Sequence, residues 1–214
     1  MVDNQRLSKG ERTKNRILLA AKKLFLSKGY SATSMRQIAL DVGITPAAIY
    51  THFSGKEELF NILLETAAPF TELLELFKTI ESESPERCIE NTFLQMVDLL
   101  LKHDDYMQLA LIDAQERGGT SLRKFLPMLL PAGITYHQRL QELDPTGFHL
   151  RDLPPFLFMR TLISLIGGYM MTERVIGSLQ SPQFVDIDWK QGLLDIFLHG
   201  VLEVPGEGGR EAYG

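Results

Sequence analysis

The densest group of side chains that could recognise an anion lies between Thr33 and Lys56. This stretch combines hydroxyl groups, an imidazole, Arg36 and Lys56, and no acidic residue occurs from Thr45 to Phe53. Such groups donate hydrogen bonds to phosphate oxygens, and an arginine can bind the edge of a guanine with two hydrogen bonds. The composition of this stretch therefore predicts contact with a nucleic acid.

Local signals predict that this stretch forms two short helices joined by a tight turn. Ser34 and Gln37 form a capping box for the first helix, and Gly43 follows as its C-cap. Thr45 caps the second helix, PAAIYTHF, and Pro46 occupies its first position. The second helix is predicted to bury Ile49 and Phe53 and to expose Ala47, Ala48, Tyr50, Thr51 and His52. Two short helices joined in this way are typical of a helix-turn-helix.

The segment GYSATSMRQIALDVGITPAAIYTHFSGKEELF resembles the DNA-binding signature of the tetracycline-repressor (TetR) family of bacterial transcription regulators. The resemblance covers roughly residues 11–62, and the rest of the chain has no motif of its own. It implies an all-α fold, in which a three-helix helix-turn-helix head is followed by a helical body that binds a ligand and dimerises.

The resemblance also implies which residues bind DNA. The residues expected mainly at phosphates are Thr33, Ser34, Tyr50, His52 and Lys56. Those expected at base edges or thymine methyl groups are Arg36, Thr45, Ala47, Ala48 and Thr51, with Arg36 as the one strong bidentate reader. A homodimer with one reading helix per subunit would bind a palindromic or near-palindromic double-stranded operator.

The charge distribution agrees with a nucleic-acid contact at one end of the chain. Residues 1–56 carry a net charge of +7, and the remaining residues carry −12. Cys88 is the single cysteine, which excludes an intrachain disulfide and favours the cytoplasm. The longest apolar stretch, residues 161–171, is much shorter than the roughly 20 residues that span a bilayer, so no membrane contact is expected.

Other chemistries lack a sequence signal. The five histidines are scattered, no HExxH pattern occurs, and no serine lies in a nucleophile elbow. We therefore expect no metal, no cofactor and no enzymatic activity. His103 and His137 are interpreted as ordinary core or surface histidines, although His103 also falls among the candidate pocket residues below.

The resemblance and the helical pattern together predict a DNA-binding domain at residues 1–55 and a six-helix body at 56–214, with a disordered tail at 205–214. The first helix should begin at Lys9 or Gly10 and end at Lys28. A capping box of Ser54 and Glu57 should start the connecting helix. Pro69 either kinks this helix or ends it.

The body contains methionine, tyrosine and aliphatic side chains that suit a small, largely apolar ligand. The candidate pocket residues are Met96, Leu100, His103, Tyr106, Met107, Phe125, Tyr136, Met159, Arg160, Ile163, Tyr169 and Met170. The alternative is that these residues form an ordinary core. Arg160 could bind a ligand carboxylate or pair with Glu173.

The last two long helices carry more apolar surface than one subunit would cover. The candidate dimer-interface residues are Thr161, Ser164, Gly168, Thr172, Trp189, Leu193, Ile196, Phe197 and Gly200. As in the family, two copies of these helices would form a four-helix bundle. The alternative is that both helices are buried inside a monomer.

Together these features predict a repressor that binds an operator as a dimer and is released by a small effector. The alternative is a DNA-bound structural or adaptor protein of the same fold that acts through protein contacts without a ligand. The identity of the effector, the operator with its half-site spacing, and the regulated genes stay open at this point. The choice between repression and activation also stays open.

Overall fold

The predicted all-α fold is confirmed in a computed structural model that describes residues 8–79, 84–143, 149–177 and 187–203. The described residues form eleven helices and one pair of two-residue strands. The first four helices are α1 (Lys9–Lys28), α2 (Met35–Val42), α3 (Pro46–Ile49) and α4 (Lys56–Ala67). The next four are α5 (Phe70–Thr79), α6 (Pro85–Lys102), α7 (Asp104–Glu116) and α8 (Thr120–Arg123). The last elements are α9 (Leu126–Glu142), β1 (His149–Leu150), α10 (Pro155–Ile176), α11 (Trp189–Val201) and β2 (Leu202–Glu203).

These elements form two compact units that do not follow the order of the chain. The first unit combines α1–α4 with α7 and α8, and the second contains α5, α6, α9, α10, α11 and the strand pair. The compact unit that holds the helix-turn-helix therefore extends beyond residue 55. The functional division between residues 1–55 and 56–214 stays a prediction.

The predicted capping signals of the first helices are confirmed. Gln37 N donates to Ser34 Oγ at 3.3 Å, and Ser34 N donates to Gln37 Oε1 at 2.8 Å. Gly43 ends α2 in the left-handed conformation with φ 76°, which a residue with a Cβ rarely adopts. Ala48 N donates to the Thr45 hydroxyl at 3.1 Å at the start of α3.

Two predicted features of the helix ends were wrong in detail. The regular part of α3 is only Pro46–Ile49, because the following amides of Thr51 and His52 bond to carbonyls three residues back. Ser54 pairs with Glu58 rather than Glu57, through its backbone N at 2.6 Å and its hydroxyl at 2.7 Å. These bonds lower the pKa of Glu58.

Pro69 lies between two separate helices. Helix α4 ends at Ala67 and α5 begins at Phe70, so the connecting helix is broken rather than kinked. With the added short α8, the described residues after the head form eight helices rather than six. The predicted loop over residues 144–153 contains β1, which pairs antiparallel with β2. Residues 144–148 and the predicted tail at 205–214 lie outside the described residues.

The core of the second unit is built around Tyr136 on α9. Its hydroxyl lies 2.7 Å from the Thr92 hydroxyl and donates to the Cys88 carbonyl at 3.3 Å. Phe158 of α10 packs near both Tyr136 and Phe197 of α11. This core joins α6, α9, α10 and α11.

Among the described helices, none combines the length and the apolar content needed to cross a membrane.

Candidate nucleic-acid interface

The helix-turn-helix presents an exposed surface without free acidic groups. Tyr50 is 56% exposed, and Arg36 is also exposed, with no hydrogen bond or ion pair to any described residue. Asp41 is the one acidic residue between Ser34 and Lys56, and its carboxylate accepts a bond from Lys23 at 3.0 Å. A surface that offers donors and an unpaired guanidinium is suited to a polyanion.

The structure brings most of the predicted DNA-binding residues to the surface. Those that are exposed are Ser34, Arg36, Thr45, Ala47, Tyr50 and Thr51, and those that are half-buried are Ala48, His52 and Lys56. Two hydroxyls already have local partners, since Thr45 caps α3 and Thr51 donates to the Ala48 carbonyl at 2.7 Å. Both side chains can still present their methyl groups.

Thr33 does not fit its predicted role at a phosphate. The residue is 2% exposed, and its hydroxyl donates to the Gly29 carbonyl at 2.8 Å. A buried hydroxyl with a backbone partner has no free route to DNA. Thr33 instead holds the turn that leads from α1 into α2.

Lys56 has a structural contact as well as a predicted DNA contact. Its Nζ donates to the Tyr30 carbonyl at 2.8 Å and lies 4.2 Å from the centre of the Tyr30 ring. Burial lowers the pKa of Lys56, while the carboxylate of Glu116 acts in the opposite direction. An ammonium group has three donors, so one bond to Tyr30 leaves donors for a phosphate.

Arg117 supports the helix-turn-helix through contacts with several elements. The sequence patterns did not identify this residue. Arg117 Nη1 donates to Asp113 Oδ1 at 3.0 Å and to Ser121 Oγ at 2.7 Å, and Nη2 donates to Asn61 Oδ1 at 3.1 Å. Its guanidinium carbon lies 4.9 Å from the centre of the Tyr30 ring and 4.7 Å from that of a second aromatic ring, on α4. Arg117 thus contacts the α1–α2 turn, α4 and α7–α8 at once.

The partner of Arg117 is a fully buried carboxylate. Asp113 is 0% exposed, and its second oxygen accepts bonds from the backbone N of Ser121 at 3.0 Å and of Leu122 at 3.1 Å. A buried carboxylate is tolerated only when it is paired and hydrogen-bonded. Both oxygens of Asp113 meet this condition.

Glu116 completes the support of the turn. It accepts bonds from the backbone N of Ser31 at 2.6 Å and of Tyr30 at 3.2 Å, and these bonds lower the pKa of its carboxyl. A Cβ at Gly29 would lie 2.4 Å from Glu116 Oε1, and the φ of Gly29 is 84°. Only glycine permits this approach, so Gly29 fits both the turn and the carboxylate.

One sequence signal could have revealed the buried pair. Tyr106, Leu109 and Asp113 occur at helical spacing, so the carboxylate continues the apolar face of α7. A charge on a buried face requires a partner of opposite charge. Arg117, one turn further along, is the nearest cation on that face.

The candidate pocket residues do not share one environment. His103, Tyr106, Met107 and Phe125 belong to the first unit, and the other eight belong to the second. Within the second unit the buried members are Met96, Leu100, Tyr136, Tyr169 and Met170. Arg160 and Ile163 were placed wrongly in the interior, because both lie on the exposed face of α10.

The candidate interface residues are mostly exposed. On α10, Thr161, Ser164, Gly168 and Thr172 share an exposed face, and on α11 Ile196 is 72% exposed. Trp189 and Gly200 are also exposed, whereas Leu193 is half-buried. Phe197 is an exception, because it is buried against Phe158 inside the subunit. The set as an interface stays a prediction.

Among the described residues, no three His, Cys, Asp or Glu side chains are grouped as metal ligands would be.

Comparisons with known proteins agree with this geometry. The model of the family described as bacterial regulatory proteins, tetR family, matches residues 17–63. The HTH-type transcriptional repressor BepR of Brucella suis biovar 1 (strain 1330) is 30% identical over 88 residues, which are 41% of this chain and 42% of BepR. The HTH-type transcriptional activator FasR of Mycolicibacterium smegmatis (strain ATCC 700084 / mc(2)155) is 38% identical over 60 residues, or 28% of this chain and 27% of FasR. The matches thus span less than half the length of these curated relatives.

A solved structure extends the similarity beyond the head. The crystal structure of NalD, the secondary repressor of the MexAB-OprM multidrug efflux pump in Pseudomonas aeruginosa, is 28% identical with a TM-score of 0.63. The similarity covers 90% of this chain and 96% of NalD. This chain therefore shares the helical fold of NalD, and its helix-turn-helix is similar to those of the curated regulators. The resemblance to the TetR family is confirmed over residues 17–63.

The buried pair predicts a large difference between two arginines of the same unit. Arg117→Ala should lower the free energy of unfolding by about 3–5 kcal/mol, because it leaves Asp113 buried without its cation. Arg123→Ala is the control, since the Arg123 side chain is exposed and, among the described residues, donates only to the Gly118 carbonyl. Urea denaturation followed by circular dichroism measures both. Equal losses for the two variants would contradict the assigned role of Arg117.

Proposed function

We propose that this chain is a cytoplasmic transcriptional repressor that binds a palindromic or near-palindromic operator as a homodimer. A small, largely apolar effector binds the body and releases the DNA. The observation that supports the DNA contact most directly is the exposed surface of α2, α3 and the following turn. It combines an unpaired Arg36 with hydroxyl groups and has no free carboxylate.

The contacts divide into two kinds. Lys56 lies at the start of α4, beside backbone N–H groups and the positive end of the helix dipole, which suits a phosphate. Arg36 is exposed on α2 and free to reach a base edge. Phosphate contacts act on every DNA sequence, whereas base contacts distinguish sequences.

This division predicts different effects for two substitutions. Lys56→Met keeps an apolar stem over the Tyr30 ring but removes the charge, so it should weaken binding to all DNA sequences and reduce the salt slope by about one unit. Arg36→Ala should cost about 1–3 kcal/mol on the operator and little on scrambled DNA. Fluorescence anisotropy at several salt concentrations measures both, with the operator selected from random duplexes and melting temperature as the folding control. If both variants lost affinity equally on the two DNAs, the division would be wrong.

The exposed faces of α10 and α11 support dimerisation. Thr161 and Thr172 donate to carbonyls of their own helix, at 2.8 and 2.9 Å, so they present methyl groups outward. A Cβ added at Gly168 or Gly200 would meet nothing within 4 Å in the subunit. With Ile196 exposed nearby on α11, this surface suits a second copy of the chain.

A bulky charge on this surface should separate the subunits. Gly168→Arg is accommodated within the subunit but would place a cation in the proposed interface, and we expect a monomer at micromolar concentration. Leu101→Arg is the control, because Leu101 is exposed on α6 outside the proposed interface. Light scattering after size exclusion measures the mass. Wild-type protein that elutes as a monomer, or a Gly168→Arg dimer, would exclude this interface.

The effector separates the proposal from its alternative, a DNA-bound adaptor without a ligand. To release the DNA, the effector must shift the population ratio of the DNA-binding and released conformations from 99:1 to 1:99. This shift requires the effector to bind the released conformation more tightly by about 5.5 kcal/mol. We expect some hydrophobic metabolites or drugs to raise the melting temperature and also to release the operator. A thermal-shift screen followed by anisotropy tests this. Ligands that stabilise the protein but leave operator affinity unchanged would favour the adaptor.

A further inference from the structure

A pocket of about 350 Å³ lies in the second unit, between α9 and the segment that leads into α10. Its lining residues are His137, Gln141, Asp152, Leu153, Pro154, Pro155 and Leu157. None of them belongs to the pocket that the sequence predicted. The volume falls within the range of small-molecule sites, roughly 300–1,000 Å³.

His137 is the unusual member of this lining. The residue is 1% exposed, and neither ring nitrogen makes a hydrogen bond of normal distance and angle to a described residue, although the Leu153 backbone lies near enough to oppose the lowering of its pKa by burial. The Phe158 ring packs against the His137 imidazole with 5.5 Å between the ring centroids. The edge of a phenyl ring carries no hydrogen-bond acceptor. Buried polar groups are almost always paired, because an unpaired one costs free energy. An unpaired imidazole in a pocket wall is therefore suited to a ligand that supplies the partner.

The charges around His137 indicate the class of ligand. Burial lowers the pKa of His137, while the Leu153 backbone and the Asp152 carboxylate act in the opposite direction. A neutral imidazole has one donor and one acceptor, and a hydroxyl group can pair with either. Asp152 in the lining disfavours an anion, and the leucine and proline side chains suit an apolar body.

We propose that this pocket binds small, uncharged molecules that are largely apolar and carry a hydroxyl group, with His137 as the polar anchor. The site deepens the proposed function by giving the effector a position and a chemical class. Only its consequence at the operator rests on that function. The binding itself can be measured without DNA.

The test uses 4-propylphenol and propylbenzene as a matched pair of probes on the full-length protein. The imidazole signals of labelled histidine are followed by NMR, and the His137 signal is assigned by its loss in His137→Phe. We expect 4-propylphenol to shift that signal and to bind roughly five- to tenfold more tightly than propylbenzene, because one hydrogen bond separates the probes. His137→Phe should abolish this preference in calorimetry.

A second pair of variants tests the location. Leu157→Trp should fill the pocket and remove binding, whereas Leu101→Trp should bind like the wild type. The two leucines are matched in exposure, at 42% and 43%, and only Leu157 lines the pocket. Because both positions are exposed, neither variant should unfold the protein, which melting temperature verifies.

The outcomes separate the site from the function. An unshifted His137 signal at probe saturation, equal affinity for the two probes, or full binding by Leu157→Trp would each overturn the site. If 4-propylphenol binds as expected but leaves operator affinity unchanged, the site stands and its role as the effector site is overturned. A protein that binds the probe but no DNA would overturn the proposed function alone.

Discussion

The compact unit that holds the helix-turn-helix depends on one buried ion pair, between Arg117 and Asp113. A charge removed from water is stable only if every donor and acceptor finds a partner, and the bonds to Ser121, Asn61 and the α8 backbone supply those partners. The same guanidinium packs against the Tyr30 ring, which positions the turn before α2. The placement of the reading surface therefore follows from an interaction that does not itself touch DNA.

The Arg117–Asp113 pair lies in a segment through which the helical body is connected to the helix-turn-helix head. Helices α7 and α8 lie in the chain between α6 and α9, which belong to the second unit, yet they complete the first unit. The chain passes between the units at residues 68/69, 102/103 and 126/127. If the proposed effector binds the second unit, two covalent connections besides the break at Pro69 lead from that unit to the Arg117 cluster. A switch would act by favouring one of two states of these connections.

The head was predicted well because its signals are local. Ser34–Gln37, Gly43 and Thr45–Pro46 determine capping and turn geometry over a few residues, and the structure confirms them. The Arg117 cluster and the His137 pocket were missed because they join residues distant in sequence, such as Asn61 with Ser121 and His137 with Leu153. Arg160 and Ile163 were misplaced because α10 is apolar on nearly all sides, so periodicity could not identify its inner face. Thr33 was assigned to a phosphate because the sequence did not show that its hydroxyl is buried and donates to the Gly29 carbonyl.

The central claim is that two copies of the helix-turn-helix read DNA together. Selection of bound sequences from random duplex DNA with the full-length protein tests it most directly. We expect an enriched inverted repeat, with half-sites about one helical turn or a multiple apart and two subunits bound per site. Enrichment of a single asymmetric site bound by one subunit, or no enrichment over the starting pool, would contradict it.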